Sequence, residues 1–190
     1  MPAHSQTSTA AIVAAGRRLL EERGTDALTM HDVAAAVGVR APSLYKRVRG
    51  RSDLFRLILE DVTNELTAAL DAAAACGDPV ADLRAMASAY RSFAHANPVI
   101  YTLMMTPRSA PGATARSVRS SATLLRVVAE LADPPDALPA ARMIVAWTHG
   151  FISMELAGAF RLGGDVEQAW AFGLDRVLAA VRGSRRAVTG

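Results

Sequence analysis

Residues 28–54 read LTMHDVAAAVGVRAPSLYKRVRGRSDL, and no other part of the chain leaves so few choices of fold. Thr29 is placed to cap a short helix by accepting a backbone N–H, with Asp32 three residues on supplying the negative charge that a helix N-terminus favours. Leu28 and Val33 stand at the staple positions on either side of that cap, and Val33, Ala34 and Val37 give the helix one apolar face. Gly38 then takes the left-handed conformation that ends a helix and turns the chain sharply. A second helix opens through Ala41, Pro42 and Ser43, proline being tolerated in a first turn where its missing N–H is not needed. Leu44 and Val48 anchor its inner face, so Ser43, Tyr45, Lys46 and Arg47 point elsewhere. Between residues 40 and 51 stand Arg40, Lys46, Arg47, Arg49 and Arg51 and no acid. That is the charge a helix-turn-helix carries into a DNA groove.

At these residues the chain resembles the TetR family of bacterial one-component transcriptional regulators. The shared pattern is a capping Thr (Thr29), a V-A-x-x-x-G-V turn (residues 33–39), a Leu-Tyr pair (Leu44, Tyr45), and a basic residue and a Leu opening the next helix (Arg51, Leu54). The resemblance implies that Thr29 and Tyr45 contact phosphates and that Ser43, Lys46 and Arg47 lie near base edges. It also implies that Arg51 holds backbone at the start of the fourth helix; Arg40, Ala41 and Pro42 complete the expected DNA-contact set. Three positions depart from the pattern: Arg40 stands where a capping Ser or Thr is usual, Arg47 where His is common, and Val48 where Phe is usual.

Charge bookkeeping agrees with a DNA-reading head. Residues 1–60 hold nine Lys and Arg against six Asp and Glu, whereas residues 61–190 hold twelve of each, so the whole formal charge of +3 belongs to the N-terminal third. With 51% hydrophobic and 21% charged residues in 190, the chain can build a small head and one larger core. The start, MPAHSQTSTA, has neither the basic beginning nor the apolar stretch of a secretory signal, and no apolar run approaches the roughly 18 residues needed to span a bilayer. A cytoplasmic protein without membrane contact is expected. Cys76 is the single cysteine, which excludes an internal disulfide or a cysteine-based metal cluster and leaves an inert thiol, or an intermolecular pair, as its readings.

Elsewhere the apolar period is helical and strand signals are missing. Ile12, Gly16, Leu19 and Leu20 make the inner face of a first helix that ends near Arg23 and Gly24. From Ser52 to Cys76 there is no glycine or proline, and Leu54, Ile58, Val62, Leu66 and Leu70 recur every four residues. One long helix of roughly 35 Å is expected there. Asp78-Pro79 and Asn97-Pro98 each place a cap before a proline at the first helical position, opening a helix to about Ala96 and a short one, VIYTLMM. After a loop around Pro107, Pro111 and Gly112, further helices are expected over about 113–132, over 139–162 with a stop at Gly163-Gly164, and over about 165–182 behind an Asp165 cap paired with Gln168. The expected fold is therefore all-α with about nine helices. A three-helix head (residues 1–51) is joined by a long helix to a helical body (residues 52–182), and the tail (residues 183–190) is expected to fray.

In the body, residues 139–162 are apolar on two sides: Met143, Trp147, Phe151, Met154 and Gly158 on one, Val145, His149, Ile152, Leu156 and Ala159 on the other. A helix apolar all round is buried all round, and a core plus a second subunit is the economical arrangement. Small residues at Ala146, Gly150, Ala157, Gly158, Ala169 and Gly173 would let helices approach closely across a two-fold axis, so a homodimer is expected. The segments AWTHGFISMELAGAF and FAHANPVIYTLMM also resemble the C-terminal ligand-binding body of one TetR branch, named for its Trp, His and Gly. For an effector, Tyr90, Phe93, Tyr101, Met104, Met105, Trp147, Phe151 and Met154 are the candidates for an apolar lining, with His95, His149 or Glu155 as polar hooks. Each of these also fits an ordinary core, and Glu155 also fits a pair with a nearby arginine.

The chain has no His-Glu-x-x-His, no glycine-rich phosphate loop and no G-x-S-x-G elbow, and its four histidines lack metal-ligand spacing. Neither catalysis, metal nor cofactor is expected. The sequence reads as a DNA-binding regulator, a repressor released from a near-palindromic double-stranded operator by a small apolar or aromatic effector. A regulator without an effector is the alternative, and a helical carrier or enzyme a more distant one.

Overall fold

The computed structural model describes residues 8–26, 28–105 and 113–183, and among them nine helices and no strand. In chain order these are α1 (Thr9–Arg23), α2 (Met30–Ala36), α3 (Ala41–Leu44), α4 (Arg51–Ala73), α5 (Pro79–Ala96), α6 (Pro98–Met105), α7 (Ala113–Ala129), α8 (Ala137–Leu156) and α9 (Val166–Gly183). The all-α expectation is met. The loop around Pro107, Pro111 and Gly112 and the tail from residue 184 lie outside the described residues. No described helix is long and apolar enough to cross a membrane.

The chain packs as two compact units, Met1–Glu65 with Asn97–Ala113, and Leu66–Ala96 with Thr114–Gly190. The expected boundary after residue 51 falls at the first residue of α4, and α4 itself runs on from one unit into the other.

In the first unit, α1 turns Ile12, Val13, Leu19 and Leu20 inward, and α4 supplies Leu54, Ile58 and Val62, all buried. Short α6 packs on α1. Its N-terminus was expected to be capped by Asn97. Asn97 O accepts from Tyr101 N–H at 2.8 Å and Asn97 Oδ1 from Arg17 Nη2 at 2.8 Å, while the N–H groups of Val99 and Ile100 donate to Oε2 and Oε1 of Glu21 at 3.0 and 2.9 Å. A carboxylate from another helix thus holds two of the orphan donors.

In the second unit, Asp78 caps α5 as expected, its Oδ1 accepting from Val80 N–H at 2.9 Å. Helix α4 stops at Ala73, short of the expected Cys76, because the Cys76 N–H turns to Asp82 Oδ1 at 3.0 Å and Asp82 is buried on α5. Helix α8 also ends early, at Leu156 rather than at Gly163-Gly164. Gly158 sits at φ +62°, with its N–H bonded to Glu155 O at 2.9 Å and the next N–H, of Ala159, to Met154 O at 2.9 Å. These two bonds satisfy the last carbonyls and stop the helix, so Gly158 ends α8 rather than lying within it as a close-packing residue. Asp165 caps α9 through Glu167 N–H at 2.8 Å.

Gly173 on α9 was expected to make room for a second subunit, but its space is filled within the chain. A Cβ built there would lie 2.3 Å from Cζ2 of Trp147 and 2.9 Å from Cε2. The bare backbone lets that ring settle between α8 and α9, 5.1 Å from the Trp170 ring and 5.6 Å from Phe151. Gly173→Ala should therefore lower unfolding free energy by about 1–3 kcal/mol through overpacking. Urea melts followed by tryptophan fluorescence check this, and a second change, Trp147→Leu, should recover part of the loss.

Candidate nucleic-acid interface

The helix-turn-helix is assembled from local caps. Thr29 Oγ1 accepts from Asp32 N–H at 3.1 Å and donates to the Asp32 carboxylate, so the hydroxyl expected to meet phosphate also closes the first turn of α2. At the other end Gly38 has φ +71°, its N–H bonding Ala35 O at 3.1 Å while Val39 N–H bonds Ala34 O at 2.9 Å. Arg40 is the N-cap of α3 and makes no side-chain cap bond, as a residue without a short oxygen-bearing side chain must. Leu44 and Val48 are fully buried. Pro42, Ser43, Tyr45, Lys46, Arg47 and Arg49 face outward, Tyr45 at 54% exposure, and Ala41 is half-buried.

Pairing sorts the head's cations into two kinds. Arg17 meets Glu65, Arg56 meets Asp53 and Glu60 at 2.8 and 2.9 Å, and Arg23 lies 3.9 Å from Asp32. By contrast, among the described residues the side chains of Arg40, Lys46, Arg47 and Arg49 have no carboxylate partner within 4 Å. These four are free to meet phosphate oxygens or base edges. Asp53, near the start of α4, accepts from Arg49 N–H at 2.9 Å and from Arg56, and these bonds hold its carboxyl below the usual range.

Arg51 behaves differently from its neighbours. Its Nε donates to Leu28 O at 2.9 Å, its Nη2 donates to Thr25 O, and its guanidinium lies 5.0 Å from the centre of the Phe55 ring. The backbone it holds here is the protein's own, in the turn before α2. Sequence reasoning did not anticipate this clasp, because the two carbonyls are 23 and 26 positions away.

The candidate effector residues divide between the units. Tyr101, Met104 and Met105 are in the first, Tyr101 buried and Met105 exposed; Tyr90, Phe93, Trp147, Phe151 and Met154 are in the second, Phe93 buried and Met154 exposed. Of the latter, Trp147 and Phe151 come together in an aromatic group completed by Trp170 and Phe160, with Phe151 and Phe160 4.7 Å apart. The polar hooks are engaged with protein partners. Glu155 takes two bonds from Arg91, at 2.9 and 2.6 Å, and one contact at 2.9 Å from His95 Nε2; Arg91 also reaches Glu167 at 2.6 Å and stacks 4.9 Å over Trp170. His149 Nε2 lies 3.4 Å from Ser153 Oγ. Among the described residues no group of three metal-ligating side chains occurs.

An outward, unpaired basic face on the second helix of a two-helix turn defines a helix-turn-helix DNA-binding protein. Residues 12–58 match the profile of the bacterial regulatory proteins of the tetR family, and residues 83–177 match the tetracyclin repressor-like C-terminal domain. The chain belongs to the TetR family of transcriptional regulators. It is 29% identical to the HTH-type transcriptional regulator Rv0681 of Mycobacterium tuberculosis over 97% of this chain and 85% of that protein. A solved protein of unknown function from Rhodococcus sp. RHA1 shares 27% identity, with a TM-score of 0.81 over 95% of this chain and 98% of its own. A TetR variant from Acinetobacter baumannii AYE, solved in complex with minocycline, shares the fold at 22% identity and a TM-score of 0.69, over 95% and 99% of the two chains.

Two predictions follow from this geometry. The double change Lys46→Ala, Arg47→Ala should weaken operator binding at least about tenfold and flatten the dependence of log affinity on log salt by about two, with no change in melting temperature. Arg51→Ala should instead lower the stability of the DNA-free protein, by about 1 kcal/mol. Fluorescence anisotropy across a salt series and thermal melts separate the two effects.

A further prediction concerns pH. Hydrogen bonds from Arg91, and then from His95, hold the Glu155 carboxyl below its ordinary value of 4.5. A depressed folded value contributes stability above the unfolded value and loses it as pH falls through the folded one. The difference in melting temperature between wild type and Glu155→Gln should therefore be full at pH 7 and close as pH drops below 4.5; a gap constant down to pH 3 contradicts the assignment.

Proposed function

We propose that the chain is a homodimeric repressor that binds a near-palindromic operator and leaves it when a small apolar or aromatic molecule occupies the body. DNA is read by residues 1–51, and residues 52–182 bind effector and dimerise. The observation that carries the DNA part is the face of unpaired Arg40, Lys46, Arg47 and Arg49 around exposed Tyr45.

The dimer is supported by two outward stripes. On α8, Met143, Ala146, Gly150 and Met154 follow one another at helical spacing on the side opposite buried Ile144, Thr148 and Ile152. On α9, Ala169 and Phe172, the latter 65% exposed, lie opposite buried Trp170, Leu174 and Leu178. Exposed apolar side chains in rows rather than singly mark a surface meant to be covered. A second copy presenting the same rows covers them by two-fold symmetry, and two heads on that axis meet half-sites about 34 Å apart.

Release by an effector requires that the ligand prefer the body shape in which the heads are wrongly spaced, since equal affinity for both shapes shifts nothing. The Acinetobacter protein of the same fold was solved in complex with minocycline, which supports a small-molecule ligand for this chain. Sequencing genomic fragments recovered with the protein identifies the operator. Any effector must then weaken operator binding by the same factor by which operator weakens effector binding.

The dimer is tested at Gly150, where a Cβ would meet nothing of its own chain within 4 Å. Gly150→Arg should leave the protomer folded by circular dichroism and convert dimer to monomer in sedimentation at micromolar concentration. A wild type that is already monomeric there contradicts the proposal.

A further inference from the structure

The inward stripe of α8 is Ala140, Ala141, Ile144, Thr148 and Ile152, and Thr148 is its one polar member. Thr148 is 3% exposed, and its Oγ1 has no hydrogen-bond partner among the described residues. That is unusual. A threonine inside a helix ordinarily returns its hydroxyl to the carbonyl four residues back, as Thr63 does to Leu59 O at 2.6 Å and Thr102 to Pro98 O at 3.0 Å. A buried hydroxyl without a partner has given up its bonds to water and received none in return.

The neighbouring charges are already engaged. Arg91 is held by Glu155 and Glu167, His95 by Glu155, and Arg84 by Asp175, so the charged groups joining α5, α8 and α9 face one another. A molecule reaching Thr148 finds the apolar inward stripe of α8 and one hydroxyl able to donate and accept.

We propose that Thr148 is the polar contact of the effector site, and that the ligand it takes is a neutral, largely apolar molecule bearing one hydrogen-bonding oxygen. This deepens the effector reading given above and rests on it. A charged ligand finds no unpaired counter-charge in Arg91 or Glu155, and a wholly apolar one leaves the hydroxyl unsatisfied.

The test begins without ligand. Thr148→Val keeps the shape and removes the hydroxyl, so it should raise the melting midpoint of the free protein by about 2–4 °C. An unchanged or lowered midpoint means that the hydroxyl already has a partner, and overturns the proposal. The ligand class is then read with matched probes, acetophenone and heptanophenone against alkylbenzenes of the same chain lengths. Wild type should bind at least one ketone roughly three- to tenfold tighter than its hydrocarbon, as one neutral hydrogen bond allows. Thr148→Ser should keep that preference and Thr148→Val should lose it. A preference that survives in Thr148→Val, or ketones that do not bind wild type, overturns the assignment. Operator binding measured with the bound ketone separates the two readings. Ketone preference that depends on Thr148 with operator affinity unmoved upholds the site while removing effector-driven release.

Discussion

A four-residue helix cannot hold itself together, since fixing one turn costs more conformational freedom than its single set of bonds returns. Helix α3 is such a turn, so the direction in which Ser43, Tyr45, Lys46 and Arg47 point is inherited from what surrounds it. Three devices set that direction. Gly38 turns the chain, Leu44 and Val48 are sunk completely into the head, and Arg51 fastens the start of α4 to the carbonyls of Thr25 and Leu28 on the far side of the motif. The clasp closes the motif around α3 from its C-terminal side, so a basic residue one helix away determines how the exposed cations are presented.

The same logic explains how a head with six acids in its first sixty residues can still present a face without them. Asp53 and Glu60 are bound to Arg56, Asp32 takes the Thr29 hydroxyl, Asp26 the Thr25 hydroxyl at 3.4 Å, Glu22 lies 3.7 Å from Arg18, and Glu21 is turned onto the N-terminus of α6. Each acid is tied to a structural donor. The uncancelled charge collects where α3 and the turn after it meet solvent, which is the arrangement that raises encounter rates with a polyanion.

The local grammar of the head was legible in the sequence because its determinants act over three or four residues. Thr29 meets Asp32, Gly38 meets Ala34 and Ala35 through the turn, and the apolar period of α1 and α4 selects the buried face. What escaped was set by distant partners. No spacing rule announces that Glu21 will cap a helix 78 positions on, that Arg51 will turn inward, or that Trp147 will take the room left by Gly173. The early end of α8 was a choice between glycines: Gly158 stops the helix before Gly163-Gly164 are reached, and a pattern apolar on both sides gave no reason to prefer one over the other. Thr148 was passed over between Trp147 and His149, because a threonine in an apolar run reads as a β-branched core residue until its hydroxyl is followed.

Helix α6 shows why chain order is a poor guide to which part packs with which. It lies between α5 and α7 in sequence, yet it packs on α1 and belongs to the unit that carries the helix-turn-helix. Two carboxylate oxygens on two successive N–H groups fix both the position and the direction of a helix end, and the Arg17 bond to Asn97 adds a third tie one residue earlier. The chain thus passes between the units three times, inside the continuous helix α4, at the junction of Ala96 and Asn97, and at the first residue of α7. A ligand can bias the head only through groups whose arrangement differs between two states of the protein. Such groups are to be sought first where the chain changes unit, within α4 and at the two ends of the 97–113 segment that carries α6.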